Sequence, residues 1–189
     1  MSFFYNSNDG FIYNQSWWER GLYYSVKPII IGTMVTVLFT WFYNLYFKKN
    51  ILNITSRVVI YLFLVLALAP GLIVNVIFKD NFGRARPHKT VEFGGTSTFT
   101  PAFVMSDQCE RNCSFSCGHA SGAFFLIAVA LLASRRRRVL EASAITYGFL
   151  VGIARMANGG HFFSDVVVSF FVVYIVSHIA YHYIFKDEL

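Results

Sequence analysis

Charge is scarce in this chain of 189 residues: Asp, Glu, Lys and Arg together make up 14% of it, and only ten of those are carboxylates. A soluble domain carries roughly a quarter of its residues as charges, so a water-facing globular surface is excluded. No short apolar core followed by a small-residue cleavage site stands near the start, where the first 25 residues are polar and aromatic. Export is therefore expected to depend on a transmembrane segment itself. Internal repeats, low-complexity tracts and dividing linkers are also lacking, which leaves a single domain over residues 1–189. The three cysteines lack the arginine that a cysteine-dependent phosphatase places six residues after its nucleophile; those positions hold Phe115, His119 and Ala123.

What the chain does have is apolar. The hydrophobic fraction is 56%, aromatic residues alone are 19%, and the mean hydropathy is +0.50. Apolar stretches run from about Val26 to Phe47, Val58 to Phe78, His119 to Ser134, Val139 to Ala157 and Phe162 to Phe185. Each is near the roughly 20 residues that cross a bilayer as a helix, the third being the shortest. The fold class expected is all-α, a polytopic transmembrane bundle of about five spans. Residues 1–25 form an interfacial lead-in, with a short helix over 16–25 whose start carries the capping-box pair Ser16 and Glu19. Ala144, Gly148 and Gly152 put small residues at every fourth position of the fourth span, where a neighbouring helix can approach closely.

Basic residues set the orientation, because Lys and Arg in short loops stay in the cytoplasm. Lys48, Lys49 and Arg57 share one loop and Arg135 to Arg138 another, three plus four of the sixteen basic residues. These loops lie two spans apart, so both face inward together. The net charge of +6 then reports membrane topology and not nucleic-acid binding. The N-terminus, the long loop 79–117 and the turn 157–161 fall on the outer face. That loop holds Pro87, Pro101, Phe82, Phe93, Phe99 and Phe103, and is expected to lie as a lid on the membrane surface.

Three polar islands meet on that outer face: Lys79 to Pro87, Ser116 to His119, and Arg155 to Asp165. Lys79 or Arg155 alone would read equally well as a side chain snorkelling to headgroups. His161 and Asp165 are more specific. Four apart on a helix they share a face, so the carboxylate can accept one imidazole N–H and leave the other nitrogen free to attack. Lys79, Arg86 and Arg155 supply the cations for a phosphate monoester of charge about −1.5 to −2. Gly118 lets backbone amides come close to the phosphoryl oxygens, and His119 in the same turn is placed to protonate a leaving alkoxide. Arg84 and His88 are candidates for contact with a large headgroup or for plain surface placement. His178 and His182 have no carboxylate partner nearby in sequence and read as packing or interfacial residues.

Taken together, Lys79 with Arg86-Pro87, the stretch Ser116-Cys117-Gly118-His119, and Arg155 with His161 and Asp165 resemble the three-part signature of the type 2 phosphatidic acid phosphatases. The resemblance spans about residues 58 to 180. It implies a helical bundle that hydrolyses lipid phosphates without a metal or other cofactor, through a phosphohistidine intermediate. By that carry-over His161 is the nucleophile, Asp165 its orienting group, His119 the general acid, and Lys79, Arg86, Arg155, Gly118 and Cys117 the phosphate cradle. Ser116-Cys117 stands where the family usually has Pro-Ser, and Ala154 where it has Ser; a thiol is the weaker donor. Members commonly have six spans, whereas this chain shows five and would begin after the first. A finer resemblance is to the lipid A 4′-phosphatase branch, through Pro70 to Asn75, Ser106 to Cys109, Asn112 to Phe115 and Gly159 to Asp165.

Cys109 and Cys113 are expected to pair as a local disulfide in an oxidising compartment, stapling the loop before His119. A zinc site made from the three cysteines and His119 is the alternative, without the usual paired spacing. The tail Lys186-Asp187-Glu188-Leu189 matches a retrieval address for the endoplasmic reticulum, but the last span leaves it in the cytoplasm, so the match reads as coincidence. The expected protein is a lipid A phosphatase of the bacterial inner membrane, the 4′-phosphate favoured, with its active site facing the periplasm. It needs a membrane lipid and the bilayer, and no nucleic acid or obligate protein partner. A lipid A 1-phosphatase, a phosphatidylglycerophosphate phosphatase and an undecaprenyl diphosphate phosphatase are the nearest alternatives. A phosphotransferase and a non-catalytic lipid-phosphate binding protein or transporter are the others.

Overall fold

The computed structural model describes residues 1–186, so the last three residues of the tail motif lie outside it. Among the described residues, four helices are long and apolar enough to cross a membrane: α1 (Trp17–Phe47), α2 (Ser56–Asn81), α4 (Arg137–Ala157) and α5 (Phe163–Ile184). The fifth expected span is the shorter helix α3 (Gly118–Leu131), broken at Phe125. At about 1.5 Å per residue it is roughly 21 Å long, less than the hydrocarbon core. It sits in the middle of the bundle, with Ala120, Ala123, Phe124, Ile127, Ala128 and Leu131 all buried. Around it, α1, α2, α4 and α5 turn large apolar side chains outward, Phe39 on α1 being 72% exposed. A soluble protein buries such residues; here lipid covers them.

Small residues let α4 close on its neighbours. A Cβ on Gly148 would lie 2.1 Å from the Phe124 ring, and one on Gly152 would lie 2.3 Å from Val166. Polar groups inside the bundle bond across it: Tyr61 Oη donates to Ser177 O at 3.1 Å, and the Ser25 and Tyr147 hydroxyls are 2.6 Å apart. At the opposite end from the polar islands, Asn44 holds the α1–α2 turn. Its Nδ2 donates to Ile51 O and Ile54 O, and its Oδ1 accepts from Ile51 N. The arginine-rich loop shares that end, with the Arg137 guanidinium 4.6 Å from the Tyr181 ring. His178 does have a carboxylate nearby: its Nε2 is 3.3 Å from Glu141 Oε1, a pairing between two helices that sequence spacing does not reveal.

No separate interfacial helix forms over residues 16–25. The residues continue into α1, which at 31 residues is roughly 46 Å long and overshoots the hydrocarbon. Nor does the Ser16 side chain cap it. Glu19 instead accepts a hydrogen bond from Asn158 Nδ2 at 2.6 Å, tying the start of α1 to the turn before α5. Ahead of α1 lies a small hairpin, β1 (Tyr5–Asn6) and β2 (Gly10–Phe11). Midway along the second span, Ala67–Phe78 winds as a π-helix that contains Pro70. Asn75 Nδ2 donates back to Pro70 O at 2.6 Å there.

The outer loop is folded onto the bundle. Phe82 and Phe103 pack against Phe115, Phe99 packs against Phe162, and Phe93 packs against Phe11. Backbone bonds from Ser106 N to Phe82 O and from Ser114 N to Arg84 O fix its course. Gly83, at φ +58°, permits the first of these: a Cβ there would sit 1.7 Å from Ser106 O.

Candidate active site

The three polar islands converge at one end of the bundle. Lys79 ends α2, Arg86 follows in the outer loop, Cys117 precedes α3, Arg155 lies in the last turn of α4, and His161 and Asp165 flank the start of α5. The turn from α4 to α5 is made by Gly159 at φ +71°, with the Gly160 and His161 amides both donating to Arg155 O.

His161 stands ahead of α5, which begins at Phe163, so it does not share a helical face with Asp165. Its Nδ1 lies 2.7 Å from Ser114 O and 3.7 Å from Asp165 Oδ2. A carbonyl oxygen can only accept, so Nδ1 carries the proton and Nε2 keeps its lone pair. Asp165, fully buried, is used elsewhere. Its Oδ2 accepts from Ser114 Oγ at 2.6 Å and from Phe162 N at 2.8 Å, while its Oδ1 is held by the Arg84 guanidinium.

Arg84 is therefore not a surface residue. It is 2% exposed, also donates to Ser164 Oγ at 2.9 Å, and lies 4.2 Å from the Phe162 ring and 5.4 Å from the Phe99 ring. Burial lowers its pKa, opposed by Asp165, but a guanidinium stays charged. The imidazolium of His161 is likewise opposed by burial, yet Cys117 and Asp165 outweigh that and raise its pKa. Cys117 is fully buried, with its thiol in hydrogen-bonding contact with His161.

Lys79, Arg86 and Arg155 surround Cys117 closely enough to interact with it and with one another. Arg86 has its pKa lowered by burial and by Arg155. Asn112 occupies two of the three cations: Lys79 Nζ donates to its Oδ1 at 3.2 Å, and Arg86 Nε and Nη2 donate to its carbonyl at 3.1 and 2.8 Å. Asn112 lies in the loop between Cys109 and Cys113, which are disulfide-bonded with a Cα–Cα distance of 5.7 Å. The disulfide takes two of the four groups that a zinc site with His119 would need.

His119 is partly exposed and its ring stacks on Tyr23 of α1, centroids 4.1 Å apart at 22°. The Arg155 guanidinium lies 4.9 Å from the same Tyr23 ring. Tyr23 thus touches two site residues at once. Gly118 lets α3 begin against Lys79: a Cβ there would meet Asn75 Oδ1 at 2.6 Å and Lys79 Nζ at 3.2 Å. Gly160 plays the same part for Arg155, whose Nη2 would be 2.6 Å from a Cβ. The sequence offered Arg84 only as a headgroup contact or a surface residue, and gave Ser114, Asn112, Tyr23 and Asn75 no role at the site. Arg84 carried the nearest local signal, its place two residues before Arg86.

The sequence profile of the PAP2 superfamily matches residues 58–188. Over 98% of the chain and 84% of the relative's length, the chain is 36% identical to a lipid A 4′-phosphatase of Francisella tularensis subsp. novicida. It is also 36% identical, over 54% of its length, to lipid A 4′-phosphatases of Rhizobium leguminosarum and Rhizobium etli, covering 45% and 40% of those proteins. No solved structure gives a significant match.

Proposed function

The chain belongs to the PAP2 superfamily, and on that premise we propose that it removes the 4′-phosphate of lipid A at the periplasmic face of the bacterial inner membrane. It is a phosphoric monoester hydrolase, a lipid phosphatase embedded in the membrane in several passes. The near full-length likeness to the Francisella enzyme supports lipid A as the substrate. The inward-facing arginine and lysine loops support the periplasmic orientation.

The mechanism rests on one observation: His161 Nδ1 lies 2.7 Å from the Ser114 carbonyl, which supports Nδ1 as the protonated nitrogen and Nε2 as the nucleophile. In the first step Nε2 attacks phosphorus and the bond to the 4′ oxygen breaks. Lys79 and Arg86 exchange Asn112 for phosphoryl oxygens, and together with Arg155 they stabilise the charge that builds on them. His119 gives its proton to the leaving sugar alkoxide. In the second step His119 takes a proton from water, which attacks the phosphohistidine and releases inorganic phosphate. Asp165 stabilises the cationic ring and is itself fixed by Arg84 and Ser114. A protein that only bound lipid phosphates would need neither that buried pair nor a fixed tautomer.

Mass spectrometry of lipid A from cells expressing the chain tests this reading. Loss of phosphate at the 4′ position is expected, it should disappear with His161→Ala, and release in detergent should survive EDTA. Loss at the 1 position instead, or turnover by the His161→Ala variant, would overturn the substrate or the mechanism respectively.

A further inference from the structure

The hairpin before α1 is wedged into the site. Phe11 is buried against the α4–α5 turn, where a Cβ on Gly159 would lie 2.5 Å from its ring. The rings of Tyr5, Phe11 and Phe93 form one cluster with centroids 5.2 to 5.5 Å apart. Gly94, at φ +77°, receives the Tyr5 hydroxyl so closely that a Cβ would be 2.8 Å from it. The hairpin is thus clamped between the outer loop and the turn that carries His161.

Between these three segments lies a cavity of about 690 Å³, within the range of small-molecule sites. Ser7, Asp9 and Asn14 line it from the N-terminal segment and His88 from the outer loop, while Arg86 and Arg155 belong to both the cavity and the cation cluster. A phosphate on those arginines would carry whatever it is esterified to into this space. Hydrocarbon does not suit it, because acyl chains would desolvate a carboxylate, an amide and a hydroxyl without bonding to them. A second phosphate beside the first would face the Asp9 carboxylate. A neutral polar group such as an N-acylated sugar fits, since its hydroxyl and amide groups donate and accept and the four side chains offer both roles.

We propose that residues 5–14 and His88 form a sugar subsite, which receives the hexosamine bearing the phosphate and selects a glycolipid over a glycerolipid or a polyprenyl diphosphate. The proposal rests on the lipid A reading and names the part of that substrate which the N-terminal segment recognises. His88 is held ready for this, its Nδ1 2.9 Å and its backbone N 3.1 Å from Gly159 O, which leaves Nε2 for the ligand.

Asp9 and Asn14 are exposed, so replacing them should leave the fold intact. The variant Asp9→Ala with Asn14→Ala is assayed on lipid A in mixed micelles, with orthovanadate inhibition as a probe that fills only the phosphate cradle. The expected result is a fall in kcat/KM on lipid A of at least about tenfold, carried by KM, with vanadate inhibition not weakened. Unchanged turnover of lipid A, or vanadate inhibition lost in parallel with turnover, would overturn the sugar subsite. A wild-type protein that leaves lipid A intact but shows vanadate-sensitive release from phosphatidic acid would remove the substrate reading first, and the subsite with it.

Discussion

His161 Nδ1 is hydrogen-bonded to the main-chain carbonyl of Ser114 at 2.7 Å and stands 3.7 Å from the Asp165 carboxylate, so a backbone group sets the imidazole tautomer. A carboxylate that alone sets a tautomer is worth about 10⁴-fold in kcat. Asp165→Asn should therefore cost less, about 10- to 100-fold, because the ring keeps its orientation and loses only electrostatic support. Single-turnover phosphate release measures this. A loss as complete as that of His161→Ala would return the tautomer-setting role to Asp165.

Asp165 and Arg84 form a buried ion pair, 0% and 2% exposed. Removing one partner leaves a desolvated charge, at a typical cost of about 3–5 kcal/mol. Arg84→Ala is expected to unfold in detergent well below the wild type. The double variant Arg84→Ala with Asp165→Ala should be less unstable than the two single losses added together. Additive losses in a thermal unfolding cycle would show that the pair is not coupled.

The pH dependence of activity follows from the raised pKa of His161. Burial opposes its charged form, but Cys117 and then Asp165 favour that form more strongly. The nucleophile must be neutral, so kcat/KM falls as pH drops through the folded-state pKa, and this limb should lie above the ordinary histidine value of about 6.5. Cys117→Ser removes the larger raising influence. The limb should then move to lower pH, and the serine variant should gain relative activity below neutrality. A pH profile unchanged by the substitution would mean that the thiol does not act on His161.

Tyr23 lies between His119 and Arg155, stacked on the first and facing the second. An aromatic pair contributes about 0.5–1.5 kcal/mol and an exposed cation–π contact about 0.5–1 kcal/mol. Tyr23→Leu should lower kcat by roughly tenfold, while Tyr23→Phe, which keeps the ring, should stay near the wild type. Equal losses in both variants would place the contribution in the hydroxyl instead.

Much of this site was legible because its parts are short, ordered and chemically distinctive. Lys79, Arg86, His119, Arg155, His161 and Asp165 were each marked by charge in an apolar chain, and charge is expensive there. The small stripe at Ala144, Gly148 and Gly152 was legible for the same kind of reason, a period matching helix packing. What stayed hidden depends on long-range contact. Glu19 has the spacing of a capping box but bonds to Asn158, 139 residues away. The partner of His161 Nδ1 is a main-chain carbonyl 47 residues back, and every residue has one. The boundary at residue 25 failed because nothing in the polar-aromatic start of α1 stops a helix, and Pro28 lies inside it.

Gly118 offers the sharpest steric test of the cradle. A methyl group there would lie 2.6 Å from Asn75 Oδ1 and 3.2 Å from Lys79 Nζ, and Asn75 is held by its own bond to Pro70 O. Gly118→Ala must therefore push Asn75 aside or shift the start of α3, and with it His119 and the approach to Lys79. Misplacing such groups by about 1 Å costs on the order of 10²-fold in rate. We expect that loss in kcat/KM, with little change in thermal stability because the site end of the bundle, and not its core, absorbs the strain. Asn75→Ala removes the nearer obstacle, so Gly118→Ala with Asn75→Ala should recover part of the lost activity. If the double variant is no better than Gly118→Ala alone, the backbone at 118 is needed for phosphate contact in its own right, and the clash with Asn75 is not what limits it.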